Sequence, residues 1–230
     1  KIIDHISDIN LTYTEHARRY LLAEGLKPEM VIKIGSPMKE VLTYYKEQID
    51  ASDILNRLRV DAGRYFVVSA HREENIDSDI NFSDLIATLK AIAEKYDLPL
   101  IVSTHPRTRK RMESLALGEL DQRLRFLKPL GFLDYVKLQI HARCVISDSG
   151  TITEESSILS FPAVTIRQVH ERPEGMDEGT LIMCGLKEQR VLESIDVATA
   201  HYADKASRPF HIVSDYDTET VSHKVLRIII

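Results

Sequence analysis

Cys144-Val145-Ile146-Ser147-Asp148-Ser149-Gly150-Thr151, continuing to Leu159 and then to Ala163-Val164-Thr165-Ile166, holds a strand, a turn, a helix and a second strand. Cys144-Val145-Ile146 is a short apolar run that can pack on both sides, as a strand inside a parallel sheet must. The stretch from Thr151 to Leu159 is long enough for a helix, and Ala163 to Ile166 is β-branched again. Two strands joined by a helix crossover are expected to lie parallel.

The same alternation extends outward from this unit. Tyr65-Phe66-Val67-Val68-Ser69 reads as a strand. Ser83 then reads as the N-cap of a helix whose face is Leu85, Ile86, Leu89 and Ile92. Leu100-Ile101-Val102-Ser103 is the next strand, with a basic helix from Arg107, and Leu124-Arg125-Phe126-Leu127 the one after. Phe132 to Ala142 reads as a helix leading into Cys144. The pattern predicts an α/β fold, a doubly wound, Rossmann-like parallel sheet with helices on both faces.

Residues 1–40 repeat the pattern once: a strand at Ile9–Tyr13, a helix from Glu15 to Glu24 closed by Gly25, and a strand at Met30–Ile34 before Gly35-Ser36-Pro37. They are expected to be the remnant of a preceding α/β domain. Residues 41–60 are expected to be a connector within a helical stretch from Met38 to Leu58. Residues 61–206 are expected to form the main domain, and 207–230 a tail with a helical pattern at Val221, Val225, Ile228 and Ile229. Lys1-Ile2-Ile3-Asp4-His5 reads as the interior of a longer chain.

With 230 residues, 43% of them hydrophobic, the chain can bury a large core. Its formal net charge of -5 argues against nucleic acid as a partner but leaves room for a small anion in a locally positive pocket. No apolar run is long enough for a membrane span. Cys144 and Cys184 lie in apolar runs without metal-ligand spacing, as buried reduced thiols of a cytoplasmic protein do. There is no Gly-x-Gly-x-x-Gly, no Walker loop, no Gly-x-Ser-x-Gly elbow and no metal-spaced His/Asp/Glu cluster, so no cofactor or metal is expected.

Ligands of an open parallel sheet bind beyond the carboxyl ends of its strands. Four strand ends here release polar or basic clusters: His71-Arg72-Glu73-Glu74-Asn75, His105-Pro106-Arg107-Thr108-Arg109, Asp148-Ser149-Gly150-Thr151, and Arg167 with His170, Glu171 and Arg172. So much His and Arg on one edge points to an anionic ligand. The Asp148–Thr151 turn, at a helix start, suits a phosphate, although a merely capped helix would read the same. Glu154 fits a capping box with Thr151, which leaves Glu155 to accept from sugar hydroxyls. His71 reads either as a loop tether or as a general acid/base or phosphate ligand, and its place beside Arg72 favours the second. His105 reads as a supporting group. The Arg107, Arg109, Lys110, Arg111 run reads as a solvated helix face, and Arg172 as a bidentate pyrophosphate clamp.

Ser69-Ala70-His71-Arg72-Glu73-Glu74-Asn75, Ser147-Asp148-Ser149-Gly150-Thr151 through Glu154-Glu155, and Glu171-Arg172-Pro173-Glu174, in this order and spacing, resemble the non-hydrolysing UDP-N-acetylglucosamine 2-epimerases. The resemblance implies the C-terminal part of the two-domain fold shared with B-type glycosyltransferases. It implies epimerisation at C2 of a UDP-2-acetamido sugar, by loss of UDP across C1 and C2, a glycal intermediate, and re-addition with protonation on the opposite face. It matches His71 to the family's active-site histidine, and Ser149, Gly150 and Thr151 to its diphosphate turn. Glu155 matches the ribose carboxylate, Arg172 a substrate contact and Tyr135 an aromatic beside uracil. Arg72 and His105 match residues that bind a second UDP-sugar in regulated members.

Three departures stand out: Thr151 for the family's second glycine, Glu73 for its second arginine, and Leu130 for its glutamine before the aromatic helix. They resemble the branch that converts UDP-2-acetamido-2,6-dideoxy-L-talose to UDP-N-acetyl-L-fucosamine for capsule and O-antigen polysaccharides. Formation of UDP-N-acetylmannosamine is the alternative, and a B-type glycosyltransferase or a non-catalytic UDP-sugar-binding module are two others. The family's catalytic carboxylates come from its first domain. These residues alone are therefore expected to bind UDP weakly without turnover, and the intact protein to be a homodimer.

Overall fold

The computed structural model describes residues 1–104, 121–169, 172–202 and 209–230. The expected basic helix from Arg107, the site residue His105, and His170 and Glu171 lie outside them.

The chain begins with a small unit. A first helix, α1 (Ile2–Ile6), leads to β1 (Asn10–Thr12), α2 (Glu15–Ala23) and β2 (Val31–Lys33). β1 and β2 pair in parallel, with Leu11 opposite Ile32. Thr14 starts α2 with its hydroxyl accepting from the Ala17 N–H at 3.2 Å, and Gly25, at φ +93, follows its end.

The stretch expected as one helix from Met38 to Leu58 is three: α3 (Met38–Tyr44), α4 (Lys46–Ala51) and α5 (Ile54–Leu58). Breaking at Tyr45 and again at Ser52 and Asp53 lets Leu42 and Ile49 join one apolar cluster and Ile54 another. A single straight helix could not direct all three inward.

The main sheet is formed by β3 (Phe66–Ser69), β4 (Leu100–Ser103), β5 (Leu124–Leu127), β6 (Cys144–Ser147), β7 (Ala163–Thr165) and β8 (Ile182–Met183). Its order is β5-β4-β3-β6-β7-β8 and every pairing is parallel. The expected strands are present to within a residue or two, while β8 had no counterpart in the sequence reading. The α/β, doubly wound architecture holds.

Successive strand residues face opposite sides of the sheet. Phe66, Val68, Leu100, Val102 and Ile146 pack on one side with Leu89 and Ile92 of α7 (Asp79–Tyr96), which follows the short helix α6 (Glu73–Ile76), and with Val191 and Ile195 of the helix Glu188–His201. Tyr65, Val67, Ile101 and Val145 pack on the other with Leu138 of α8 (Phe132–His141) and Ile152 of α9 (Ile152–Leu159). Burial on both faces is why these strands read as unbroken apolar runs.

Helix α7 starts at Asp79 with Ser78 as its N-cap, not at Ser83. Ser78 is extended and its hydroxyl accepts from the Asn81 N–H at 3.3 Å. Ser83 lies inside the helix, one residue past the buried Phe82.

After α9 and β7 the chain forms α10 (Glu174–Asp177), β8, α11 (Glu188–His201) and the tail helix α12 (Val221–Ile229). The tail returns to the first unit. Asp215 Oδ2 accepts from the Glu15 N–H at 2.8 Å and Oδ1 from Lys33 Nζ at 2.8 Å, and its carbonyl accepts from the Ser36 N–H. Gly35, at φ +88, lies so close to the tail that a Cβ there would stand 2.5 Å from Thr218 Oγ1. Only glycine suits that backbone and that spacing. Among the described residues no helix is long and apolar enough to cross a membrane.

Candidate active site

The chain runs outward from β3 through β4 to β5, then returns to the other side of β3 with β6 and runs outward again. β3 and β6 therefore flank the point where the winding reverses, and the crevice beyond their carboxyl ends is where such folds hold ligands. Two of the four expected clusters, the His71 loop after β3 and the Asp148–Thr151 turn after β6, are neighbours there, with Ser69 opposite Ser147.

Asp148 joins them. Its carboxylate is buried at 0% exposure and is directed into the His71 loop, so it is not part of the anion cradle itself. Oδ2 accepts from the His71 N–H at 3.0 Å, the Arg72 N–H at 3.0 Å and Asn75 Nδ2 at 3.0 Å. Arg72 Nε donates to the Asp148 carbonyl at 2.9 Å. One carboxylate thus fixes the loop that presents His71. The ring of His71 is half exposed at the surface of the crevice, with Nδ1 3.4 Å from Asp148 Oδ1 and 3.5 Å from Ser69 Oγ.

The turn itself is organised by hydroxyls. Ser147 Oγ accepts from the Ser149 N–H at 3.0 Å, and the Ser149 and Thr151 hydroxyls lie 3.0 Å apart. The expected capping box is absent. Thr151 is helical and its side chain caps nothing, while Glu154 points out of the helix to accept from Ser36 Oγ and pair with Arg172 Nη1. A buried carboxylate at 2% exposure gains more from a guanidinium and a hydroxyl than from one backbone N–H.

Arg172 and the buried Arg167 line a small pocket with Ser149, Gly150, Thr153 and Thr165. Two arginines lining a pocket beside a helix start make it attractive to an anion. Thr165 Oγ1, buried on its wall, has no hydrogen-bond partner among the described residues.

On the far side of α9, Glu155 meets α8. Its buried carboxylate accepts from Gln139 Nε2 at 2.6 Å, and burial pushes its carboxyl above the usual carboxylate range. Burial, then the nearby Glu155 charge, pushes the Tyr135 hydroxyl up as well. Tyr135, Gln139 and Glu155 thus form one polar cluster beside the turn.

The structure brings His71, Arg72, Ser149, Gly150, Thr151 and Arg172 to one edge and sets Glu155 and Tyr135 next to them. Asp148 as loop anchor, Asn75 and Gln139 were missed. No local pattern names their partners: Asn75 is buried against Asp148, 73 residues away in sequence, and Gln139 against Glu155.

The UDP-N-acetylglucosamine 2-epimerase family model matches residues 1–230. The structure of UDP-N-acetylglucosamine 2-epimerase from Rickettsia bellii is 49% identical, with a TM-score of 0.90 over 99% of this chain and 60% of that one. Methanocaldococcus jannaschii UDP-GlcNAc 2-epimerase in complex with UDP-GlcNAc and UDP is 25% identical, with a TM-score of 0.88 over 98% of this chain and 62% of that one. The curated UDP-N-acetylglucosamine 2-epimerase of Methanocaldococcus jannaschii is 28% identical over 203 residues, 85% of this chain and 55% of that protein. This chain spans about half the length of the curated relatives it matches. Since the family match runs from the first residue to the last, the chain belongs to the UDP-N-acetylglucosamine 2-epimerase family.

Proposed function

We propose that this chain is the nucleotide-binding half of an enzyme that inverts C2 of a UDP-activated 2-acetamido sugar without a cofactor. UDP leaves across C1 and C2, and its return with protonation on the opposite face gives the epimer. The observation that carries this reading is the convergence of the His71 loop, the Ser149–Thr151 turn and Arg172 at the switch point of a chain in this family. Ser149, Gly150, Thr151 and Arg172 hold the diphosphate, and Tyr135 and Glu155 hold the uridine. His71 acts at the departing phosphate. Donors fixed before the reaction stabilise the charge that develops on leaving UDP. The carboxylates that exchange the C2 proton lie outside these 230 residues. Residues 1–40 belong to that other domain, 41–60 connect the two, 61–206 bind UDP, and 207–230 tie the two together. Arg72 with His105 would serve any second UDP-sugar, and the intact protein is a homodimer.

The names of the relatives favour UDP-N-acetylglucosamine as substrate and UDP-N-acetylmannosamine as product. The UDP-N-acetyl-L-fucosamine product finds no support among them. It stands as a second reading, carried by Glu73, Thr151 and Leu130. Intact enzyme incubated with UDP-N-acetylglucosamine and with its 6-deoxy L-talo counterpart in heavy water, followed by NMR, tests both. Deuterium at C2 is expected, and the sugar that accumulates it identifies the substrate. Product without label would refute epimerisation and favour a transferase of the same fold. A His71→Ala enzyme with full turnover would refute the role of His71.

A further inference from the structure

Arg172 stands where two surfaces meet. One is the pocket of Ser149, Gly150 and Arg167. The other is a groove in which Asn10, Thr12 and Thr14 of the first unit face Glu174 and Tyr216. Two groups meet the guanidinium. Nη1 pairs with Glu154, and the Tyr216 hydroxyl, which donates to Glu174 Oε1 at 2.6 Å, lines the same groove within hydrogen-bonding reach of it.

Both holding groups are themselves fixed. Glu154 is buried and takes a second hydrogen bond from Ser36 Oγ, while the Ser36 N–H donates to the Asp215 carbonyl. Tyr216 is at 0% exposure, next to Asp215 in the tail. A long arginine side chain loses rotamer freedom when it closes on a ligand, and a guanidinium already held in place loses less. Glu154 has no capping duty to explain its burial.

We propose that Glu154 and Tyr216 are positioning residues that hold the Arg172 guanidinium at the rim of the Ser149–Thr151 turn, ready to meet a nucleoside diphosphate. This rests on the proposed UDP site. It makes diphosphate affinity depend on two residues that touch no part of the ligand, one of them in the tail.

The test is calorimetric titration of the full-length enzyme with UDP, for wild type, Glu154→Gln, Tyr216→Phe, Arg172→Ala and the double variant Glu154→Gln/Arg172→Ala, with a thermal melt of each. Glu154→Gln and Tyr216→Phe should each weaken UDP by about tenfold, the scale of one charge-assisted contact. The double variant should bind no worse than Arg172→Ala alone, because Glu154 acts through Arg172. It should also melt higher than Arg172→Ala, since the neutral amide no longer leaves a buried charge unpaired. If Arg172→Ala does not fold, Arg172→Lys takes its place in the cycle. Unchanged UDP affinity in Glu154→Gln and Tyr216→Phe would overturn the proposal, as would losses that simply add in the double variant. Wild-type enzyme that binds no UDP would instead refute the site on which the proposal rests.

Discussion

Replacing Asp148 by asparagine keeps the shape of the side chain and removes its charge. In the folded protein Oδ2 accepts from the His71 N–H, the Arg72 N–H and Asn75 Nδ2, each at 3.0 Å, in a site of 0% exposure. An asparagine carbonyl placed there can accept the same three donors, but each bond loses its charge assistance. The difference between a charged and a neutral hydrogen bond is about 1 kcal/mol, so three bonds amount to about 3 kcal/mol. The new amide also faces the His71 N–H, which stands 3.2 Å from Oδ1, setting one donor against another. A loss of this size corresponds to a fall in Tm of about 6–12 °C for a chain this long. Hydrogen exchange should show where it acts, with faster exchange at the His71 and Arg72 amides and little change at Val67 or Val145 in the sheet. UDP affinity should fall because the loop carrying His71 is no longer fixed. A variant that melts within about 2 °C of wild type, with both amides equally protected, would refute the view that Asp148 organises this loop.

Gly35→Ala should destabilise the protein by more than about 1 kcal/mol, from its φ of +88 and the 2.5 Å approach to Thr218 Oγ1, and Thr218→Ala in the same chain should return part of the loss in a urea melt. Burial pushes the Cys184 thiol up to about 12 and that of Cys144 higher still, so neither should react with a disulfide reagent at pH 8 until guanidinium unfolds the chain. Because burial raises the Glu155 carboxyl, the folded state binds this proton more tightly than the unfolded chain does. Its contribution to stability is complete below the unfolded carboxylate range and is lost as pH rises through the raised folded value. Glu155→Gln should therefore gain stability relative to wild type between pH 4 and pH 7 in thermal melts, and a constant difference across that range would contradict the cause assigned here.

The strands were legible because burial on both faces leaves nothing but apolar runs, as in Phe66-Val67-Val68 and Cys144-Val145-Ile146. The crevice was legible for a topological reason: in a parallel sheet the first few residues beyond each strand lie at the ligand edge, and His71 and Ser149 are each the second residue past theirs. What stayed hidden was pairing. Asp148 and Glu154 each occupy a position with a good local explanation, a strand-end turn and a capping box, and each is claimed by a partner far away in sequence. Local motifs cannot report that competition, because a buried carboxylate follows whichever donors enclose it. β8 was missed for another reason: two half-buried residues, Ile182 and Met183, carry no periodicity to count.

The return of the tail to Asn10–Ser36 has a consequence for synthesis. β1, α2 and β2 leave the ribosome well before Asp215, which takes hydrogen bonds from Glu15, Lys33 and Ser36 and follows Ser36 by about 180 residues. That segment must wait, its polar groups facing water or a chaperone, until the residues around Asp215 have been made. A nascent chain that stops short of residue 213 would carry a finished main sheet beside an unfastened first unit.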